Sequence, residues 1–174
     1  MKTKEKILRA GLELFLKKGY DNTSMQAIAS EVGIQKASLY HHFKSKKELA
    51  VSVIYYFDEK MIEWSTEKKT KITTFNQFLQ SMIISIPIFR NIEDVILDKE
   101  ISGEVSMGFN DFVLALSREN NEAKSLIKAI FRKTQNAIKQ SIESSQQKGL
   151  IRKDISSTTV AIIIHSIVEG AGVI

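Results

Sequence analysis

The sequence contains no cysteine, and it has one proline, Pro87. Without cysteine the chain can form neither a disulfide framework nor a thiolate metal site, which is compatible with a reducing cytoplasm. Because proline interrupts helices, its scarcity favours helical structure. The 8 glycines fall mainly at the ends of segments, and no alternation of polar and apolar residues at strand length competes with helical spacing. We therefore expect an all-α chain.

A long apolar run is also missing. The most apolar stretch, 160–174, is interrupted by His165, Ser166 and Glu169, and it is too short to cross about 30 Å of hydrocarbon. The amino terminus is charged and amphipathic, unlike a signal peptide. We therefore expect no membrane partner and a cytoplasmic location. The last residues, Gly-Ala-Gly-Val-Ile, provide no helix cap, so the sequence leaves open whether the native chain extends beyond Ile174.

No catalytic pattern is present in the sequence. It lacks a glycine-rich phosphate loop, H-E-x-x-H, G-x-S-x-G, and a group of carboxylates with a histidine at ligand spacing. His41 and His42 are adjacent, and adjacent helical residues do not face each other, so we expect no shared metal site. His42 is interpreted as packing near a core, and His165 as a core or interface histidine with a partner. We predict no enzyme activity, no metal and no cofactor.

The excess positive charge lies at one end of the chain. Residues 1–50 contain 10 Lys or Arg and 5 Asp or Glu, which equals the net charge of +5, while residues 51–174 contain 15 of each. A basic module on a neutral body favours an anionic partner, either nucleic acid or a membrane surface. Membrane binding would need an exposed apolar face, but the apolar residues of this region are required for a small core. Nucleic acid is therefore the favoured partner.

Two short helices joined by a sharp turn are predicted between Thr23 and Lys47. Residues 25, 28, 29 and 32 are apolar at helical spacing, and Gly33 suits the left-handed conformation that ends a helix. In the second helix Leu39 and Phe43 would point inward. Its outward residues include no carboxylate; they are Gln35, Lys36, Ser38, Tyr40 and His41. This is the spacing of a helix-turn-helix, whose second helix enters the DNA major groove, although a helical hairpin with a solvated basic face has the same pattern.

The flanking residues distinguish these alternatives. The wider pattern is Ile7-Leu8-x-Ala10-Gly11-x-x-Leu14-Phe15-x-x-x-Gly19-Tyr20, Thr23-Ser24, Ile28-Ala29, Gly33-Ile34, Leu39-Tyr40-x-His42-Phe43 and Lys46-x-x-Leu49. Over residues 4–50 it resembles the amino-terminal domain of the tetracycline-repressor (TetR) family. The resemblance implies a three-helix DNA-binding domain followed by a divergent helical domain for ligand binding and dimerisation. Gly11 departs from the usual alanine, and Gln35 from the serine or threonine that commonly caps the recognition helix.

We accordingly divide the chain into a helix-turn-helix domain, 1–47, and a helical regulatory and dimerisation domain, 48–174. Gln35, Lys36 and Tyr40 are predicted to read bases, with Ser38 on the same face. Helix starts present amides that bind phosphate oxygens. The predicted backbone contacts are Thr23, Ser24, His41 and Lys46, and capping boxes are predicted to begin at Thr23 and Ser45.

A helix from residue 45 to about 69 would link the two domains, so that a tilt at its far end moves the recognition helix. Aromatic and methionine side chains are dense beyond it, and in the family resembled this domain usually accepts a small organic inducer. Further helices are predicted at 75–90, 91–99, 110–118 and 122–147, with a break and cap at 119–121. We predict a ligand cavity among the fourth to eighth helices. Its predicted lining is Met61, Trp64, Phe78, Met82, Phe112 and Phe131.

The final helix, 157–174, is apolar around more of its circumference than burial in one chain requires. The family resemblance implies that it pairs with residues 122–148 and with the two-fold mates of both helices. The predicted interface is Ile127, Ile138, Val160, Ile163, Ile164, Ile167, Val168, Gly170 and Ala171. Such a homodimer would read a palindromic operator.

The resulting hypothesis is a DNA-binding transcription regulator, a repressor that a small apolar or amphipathic molecule releases from double-stranded DNA. The alternative is a helical adaptor that retains the helix-turn-helix fold and acts mainly through protein contacts. Equal affinity for an operator and for random DNA would favour the adaptor.

Overall fold

The structure is a computed structural model, and it describes residues 2–68 and 109–171. The helices in these ranges are α1 (Thr3–Asn22), α2 (Met25–Val32), α3 (Lys36–His42), α4 (Lys46–Lys68), α5 (Phe109–Glu119), α6 (Asn121–Gln147) and α7 (Ser157–Ala171). These ranges contain no strand, which confirms the all-α class. Helices predicted between residues 75 and 99 lie outside the described residues.

The described residues form two compact units, 2–64 with 109–126, and 65–68 with 127–171. The first unit extends beyond residue 47, because Leu49 and Val53 of α4 pack beside Gly11 of α1 and because α5 packs on α1. The division into functional domains at residue 47 therefore remains a prediction.

The core of the first unit is built around α1. Ile7, Leu14 and Phe15 are buried, as their helical spacing predicts. Gly11 lets α4 approach closely, since a Cβ atom there would lie 3.2 Å from Val53 Cγ2. Gly19, where the sequence favours the end of the first helix, interrupts α1. The backbone leaves the helical region at Gly19, with φ 80° and ψ 161°, but helical structure resumes and ends at Asn22.

The second unit is an antiparallel pair formed by the later part of α6 and by α7. Ile138 and Ile142 of α6 are buried against Ala161 of α7. The chain reverses after Gly149, whose φ of 72° is in the left-handed region. Gln146 Nε2 stabilises the connection by donating to the carbonyl oxygens of Arg152 and Ile155, both at 3.0 Å.

His165 lies in the core of this helix pair. It is buried, its Nδ1 lies 3.2 Å from Gln135 Nε2, and its ring meets the edge of Phe131 at a centroid distance of 5.2 Å. The interpretation of His165 as a core histidine with a partner is confirmed.

The ends of the later helices follow their local sequence. Asn120 caps α6, because its Oδ1 accepts from the amides of Glu122 and Ala123, and Ser156 Oγ accepts from Thr159 N at the start of α7. These caps confirm the predicted break near Asn120 and the predicted start of the last helix. Within residues 2–68 and 109–171, the helices fall short of the combined length and apolar character that a bilayer crossing requires.

Candidate nucleic-acid interface

The turn between α2 and α3 positions a short helix on the surface. Gly33 has φ 74° and ψ 32°, and its amide donates to Ser30 O while the Ile34 amide donates to Ala29 O. This pair of bonds ends α2 as a Schellman motif, which directs the chain sharply into α3. Ile28 and Ala29 are fully buried at the helix crossing. The predicted helix-turn-helix geometry is therefore present in residues 25–42.

One side of α3 anchors it and the other faces solvent. Leu39 is fully buried and Phe43, which ends the helix, is 1% exposed. All residues of this helix that are predicted to contact DNA are exposed; they are Gln35, Lys36, Ser38, Tyr40 and His41. His42 is exposed as well, so its predicted packing near the core is wrong. Leu39 and Phe43 form the buried side of the helix. Their burial therefore holds the exposed side of α3 towards solvent.

The exposed face of α3 combines a cation, hydrogen-bond donors and an aromatic ring. Lys36 Nζ lies 5.9 Å from the centroid of the Tyr40 ring, which is 42% exposed. A cation over an aromatic face is attracted to it by about 0.5–1 kcal/mol at an exposed site. This contact places the Lys36 charge beside the Tyr40 ring, and such an exposed pair is suited to the edges of bases and to phosphates.

The start of α2 differs from its prediction. Ser24 is the N-cap, since its Oγ accepts from Ala27 N at 3.1 Å. Thr23 is 1% exposed. Its hydroxyl donates a hydrogen bond that two carbonyl oxygens share, Gly19 O at 2.8 Å and Leu14 O at 3.0 Å. The Thr23 amide donates to Tyr20 O. The capping role of Thr23 is therefore wrong, and the buried side chain ties α2 to α1 instead of facing solvent.

The start of α4 carries the second predicted capping box. Ser45 Oγ accepts from Glu48 N at 3.1 Å, as predicted. The Glu48 carboxylate accepts from the amide of Lys44 at 2.8 Å. In a standard capping box it would accept from the amide of the N-cap residue, Ser45.

Lys46 is already bound within its own chain. Its Nζ donates to Tyr20 O at 2.8 Å and to Asp21 O at 3.3 Å, and it lies 4.3 Å from the centroid of the Tyr20 ring. The ammonium thereby holds the start of α4 against the end of α1. Its phosphate contact stays a prediction. Lys44 and Lys47, which the sequence analysis did not single out, are the exposed cations on either side, and the run Lys44-Ser-Lys-Lys was the signal for them.

The predicted ligand residues are only partly described. Phe78 and Met82, and the side chains of Met61 and Trp64, lie outside the described residues. Phe112 is fully buried in the first unit, where its ring stacks on Phe15. Phe131 is partly exposed in the second unit. The stacking gives Phe112 a packing role that needs no ligand, and the cavity stays a prediction.

The predicted dimer residues divide into two groups. Ile138 is 2% exposed and packs inside its own chain, together with half-buried Val160 and Ile164, so its assignment to a partner contact is wrong. Ile163 and Ile167 are 52% and 60% exposed. Of the others, Ile127 and Val168 are half-buried, Gly170 is exposed, and the side chain of Ala171 lies outside the described part.

Comparison with known proteins places this geometry in a family. The model of bacterial regulatory proteins of the tetR family matches residues 7–53. That range contains α2, α3 and the turn between them, along with most of α1 and the first turns of α4.

Curated relatives share the same region. The uncharacterized HTH-type transcriptional regulator YerO from Bacillus subtilis is 48% identical over 54 residues, which cover 31% of this chain and 19% of YerO. IcaR from Staphylococcus aureus, the negative transcriptional regulator of the biofilm operon icaADBC, is 34% identical over 123 residues, which cover 67% of this chain and 66% of IcaR. The chain thus spans about a fifth of the first relative and just under two-thirds of the second.

A solved structure extends the likeness to nearly the whole chain. A TetR-family transcriptional regulator from Agrobacterium tumefaciens has a TM-score of 0.73 and 20% sequence identity, and the match covers 98% of this chain and 85% of that one. At this identity the likeness shows a shared fold. The matched family model and the relative IcaR show that the chain belongs to the tetR family of bacterial regulatory proteins.

Proposed function

We propose that this chain binds double-stranded DNA in a sequence-specific manner and regulates transcription in the cytoplasm, without catalytic activity. The observation that carries the proposal is the face of α3. Its buried anchors, Leu39 and Phe43, leave Gln35, Lys36 and Tyr40 exposed on a helix that contains no carboxylate. A short, rigidly held helix with such a face has the form of a recognition helix in the major groove.

The residues of α3 have separate roles in this proposal. Gln35 suits a bidentate contact with adenine, and Lys36 suits the acceptor atoms O6 and N7 of guanine. Tyr40 and Ser38 supply hydroxyls to either bases or phosphates. These contacts set which sequence is bound, because each correct bidentate pair discriminates by about 1–3 kcal/mol against the wrong base.

Phosphate contacts fix the register of the helix on DNA. Ser24 at the start of α2 and His41 on α3 are both exposed. The first amides of α2 add partial positive charge, which favours a phosphate oxygen. Lys46 holds the start of α4 against the end of α1 through its bonds to Tyr20 O and Asp21 O. An ammonium has three N–H donors, so the third is available for a phosphate.

We propose that the functional unit is a homodimer. Three isoleucines on α7, namely Ile162, Ile163 and Ile167, are exposed. By helical rotation, Ile163 and Ile167 lie on the side opposite the buried Ala161. Exposed apolar area of this kind on a helix is stabilised by covering it with a partner. A second copy provides the same surface, and two-fold symmetry would present two copies of α3 to a palindromic site.

We also propose that the chain is a repressor and that a small apolar or amphipathic molecule releases it from DNA. The repressor assignment is supported by the relative IcaR, which is a negative transcriptional regulator. The release is supported by α4, which begins beside α3 and continues to Lys68. An effector acts only if it binds the DNA-incompetent state more tightly, since equal affinity for both states shifts nothing.

Competition binding tests the proposal. Labelled duplexes from upstream of the protein's own gene are titrated with the protein, and the affinity is compared with that for shuffled duplexes of equal length and composition. We expect one upstream duplex to bind at least about 10³-fold more tightly than its shuffled version. Equal affinity for both would reject the proposal and favour the helical adaptor.

A further inference from the structure

A lysine on the first turn of α1 lies beside the end of the recognition helix. Lys4 Nζ is 5.8 Å from the centroid of the Phe43 ring, and Phe43 is the residue that ends α3. The Lys4 side chain is exposed, whereas Phe43 is buried. The Lys4 ammonium therefore lies near the carboxyl end of α3, although it comes from a different helix.

Imidazole and ammonium side chains follow one another at the end of α3 that Lys4 approaches. The last turn of α3 carries His41 and His42, both exposed, and exposed Lys44 follows. A recognition helix in the major groove lies between two phosphate backbones, so cations at its ends meet phosphates. Lys4 is placed for such a contact on the side that α1 occupies.

Lys6, on the same turn of α1, has a different environment. It lines an open groove between α1 and α2 together with Arg9, Glu13 and Glu31. Two residues along a helix correspond to a rotation of about 200°, which explains why Lys4 and Lys6 face apart. Both lysines are exposed, and Lys6 shares its groove with the carboxylates of Glu13 and Glu31. The pair thus forms a matched comparison within one helical turn.

We propose that Lys4 contacts a DNA phosphate next to the groove that α3 enters, which adds a contact from α1 to those from α2 and α3. This inference rests on the proposed DNA-binding function. A purely structural role, in which the Lys4 side chain covers the Phe43 ring, is the alternative. The two roles differ in whether they need the charge or only the aliphatic stem.

The salt dependence of DNA binding distinguishes these roles. The dissociation constant for the preferred duplex and for a shuffled duplex is measured from about 50 to about 200 mM salt, a range over which each phosphate contact contributes a slope of about 0.9. The variants are Lys4→Met, which keeps the stem, Lys4→Arg, which keeps the charge, and the control Lys6→Met. We expect Lys4→Met to reduce the slope of log affinity against log salt concentration by about 0.9 per bound protomer on both duplexes. The variant would then lose three- to fourfold less affinity than the wild type between about 50 and about 200 mM salt.

Lys4→Arg is expected to retain the wild-type slope, and Lys6→Met to leave it unchanged. A wild-type slope for Lys4→Met, or an equal reduction for Lys6→Met, would overturn the inference about Lys4 while leaving wild-type DNA binding intact. Absence of salt-dependent binding by the wild-type protein would instead reject the proposed function. Thermal unfolding of each variant reports whether the stem alone stabilises Phe43.

Discussion

The ring of Phe112 on α5 stacks on the ring of Phe15 on α1, with centroids 5.0 Å apart and an angle of 11° between the planes. Both rings are fully buried. A residue far beyond the helix-turn-helix thus completes the core that supports it. Because α1 packs against α2, this stack connects α5 to the helix pair that carries the recognition face.

We expect Phe112→Ala to lower the free energy of unfolding by about 3–5 kcal/mol, since it removes a buried aromatic ring and leaves a cavity. Leu114→Ala on the same helix is the control, because Leu114 is exposed and its replacement should change this free energy by less than about 0.5 kcal/mol. Denaturant unfolding monitored by circular dichroism measures both. Equal effects for the two variants would contradict the buried stack.

The contact between Gly11 and Val53 predicts a coupling between two substitutions. Gly11→Ala gains up to about 1 kcal/mol of helix propensity, but in the wild-type protein its Cβ would crowd Val53 Cγ2 at 3.2 Å. In a Val53→Ala background that crowding disappears. We therefore expect Gly11→Ala to stabilise the Val53→Ala protein more than the wild type, as measured by a double-mutant cycle. Equal effects in both backgrounds would show that α4 does not restrict Gly11.

The hydrogen bonds of Lys46 predict that its ammonium stabilises the fold, unlike the ammonium of an exposed neighbouring lysine. Lys46→Met removes the ammonium that bonds to Tyr20 O and Asp21 O, and it leaves the aliphatic stem. We expect a loss of about 1.5 kcal/mol in the free energy of unfolding, at the lower end for charged hydrogen bonds because Lys46 is half exposed. Lys47→Met, at the exposed neighbouring position, should cost less than about 0.5 kcal/mol. Thermal unfolding that ranks Lys47→Met as the more harmful change would contradict this role.

The exposed isoleucines of α7 predict the oligomeric state. Ile163→Glu would place an unpaired charge in the proposed dimer interface. Leaving a charge buried without a partner typically costs about 3–5 kcal/mol. We expect this variant to sediment as a monomer and to lose tight operator binding, while Ile163→Leu, which keeps the surface apolar, remains dimeric. A wild-type monomer at micromolar concentration that still binds its operator tightly would overturn the interface.

The sequence was sufficient wherever a feature depends on neighbouring residues. Helical spacing predicted α4 through Lys68, and the caps at Ser45, Asn120 and Ser156 depend on amides two or three residues away. Gly33 is equally local, because its left-handed backbone and the bonds around it involve adjacent turns.

Features that depend on distant parts of the chain were not predictable in this way. Thr23 and Ser24 are both suitable caps by residue type, and what decides between them is that Thr23 reaches Leu14 O, nine residues earlier. Periodicity likewise indicates that Ile138 is buried, but not that Ala161 of the same chain covers it. The contacts of Lys46 with Tyr20 join residues that are 26 positions apart.

Selection from random duplex DNA tests the central claim, sequence-specific binding through α3, most directly. The wild type is compared with Gln35→Ala and with the control Gln140→Ala, which removes an exposed glutamine on α6. We predict that the wild type and Gln140→Ala enrich the same palindromic motif, and that Gln35→Ala loses preference by about 1–3 kcal/mol at the base pairs it reads while other positions persist. Failure of the wild type to enrich any motif, or an unchanged motif for Gln35→Ala, would contradict this assignment of α3.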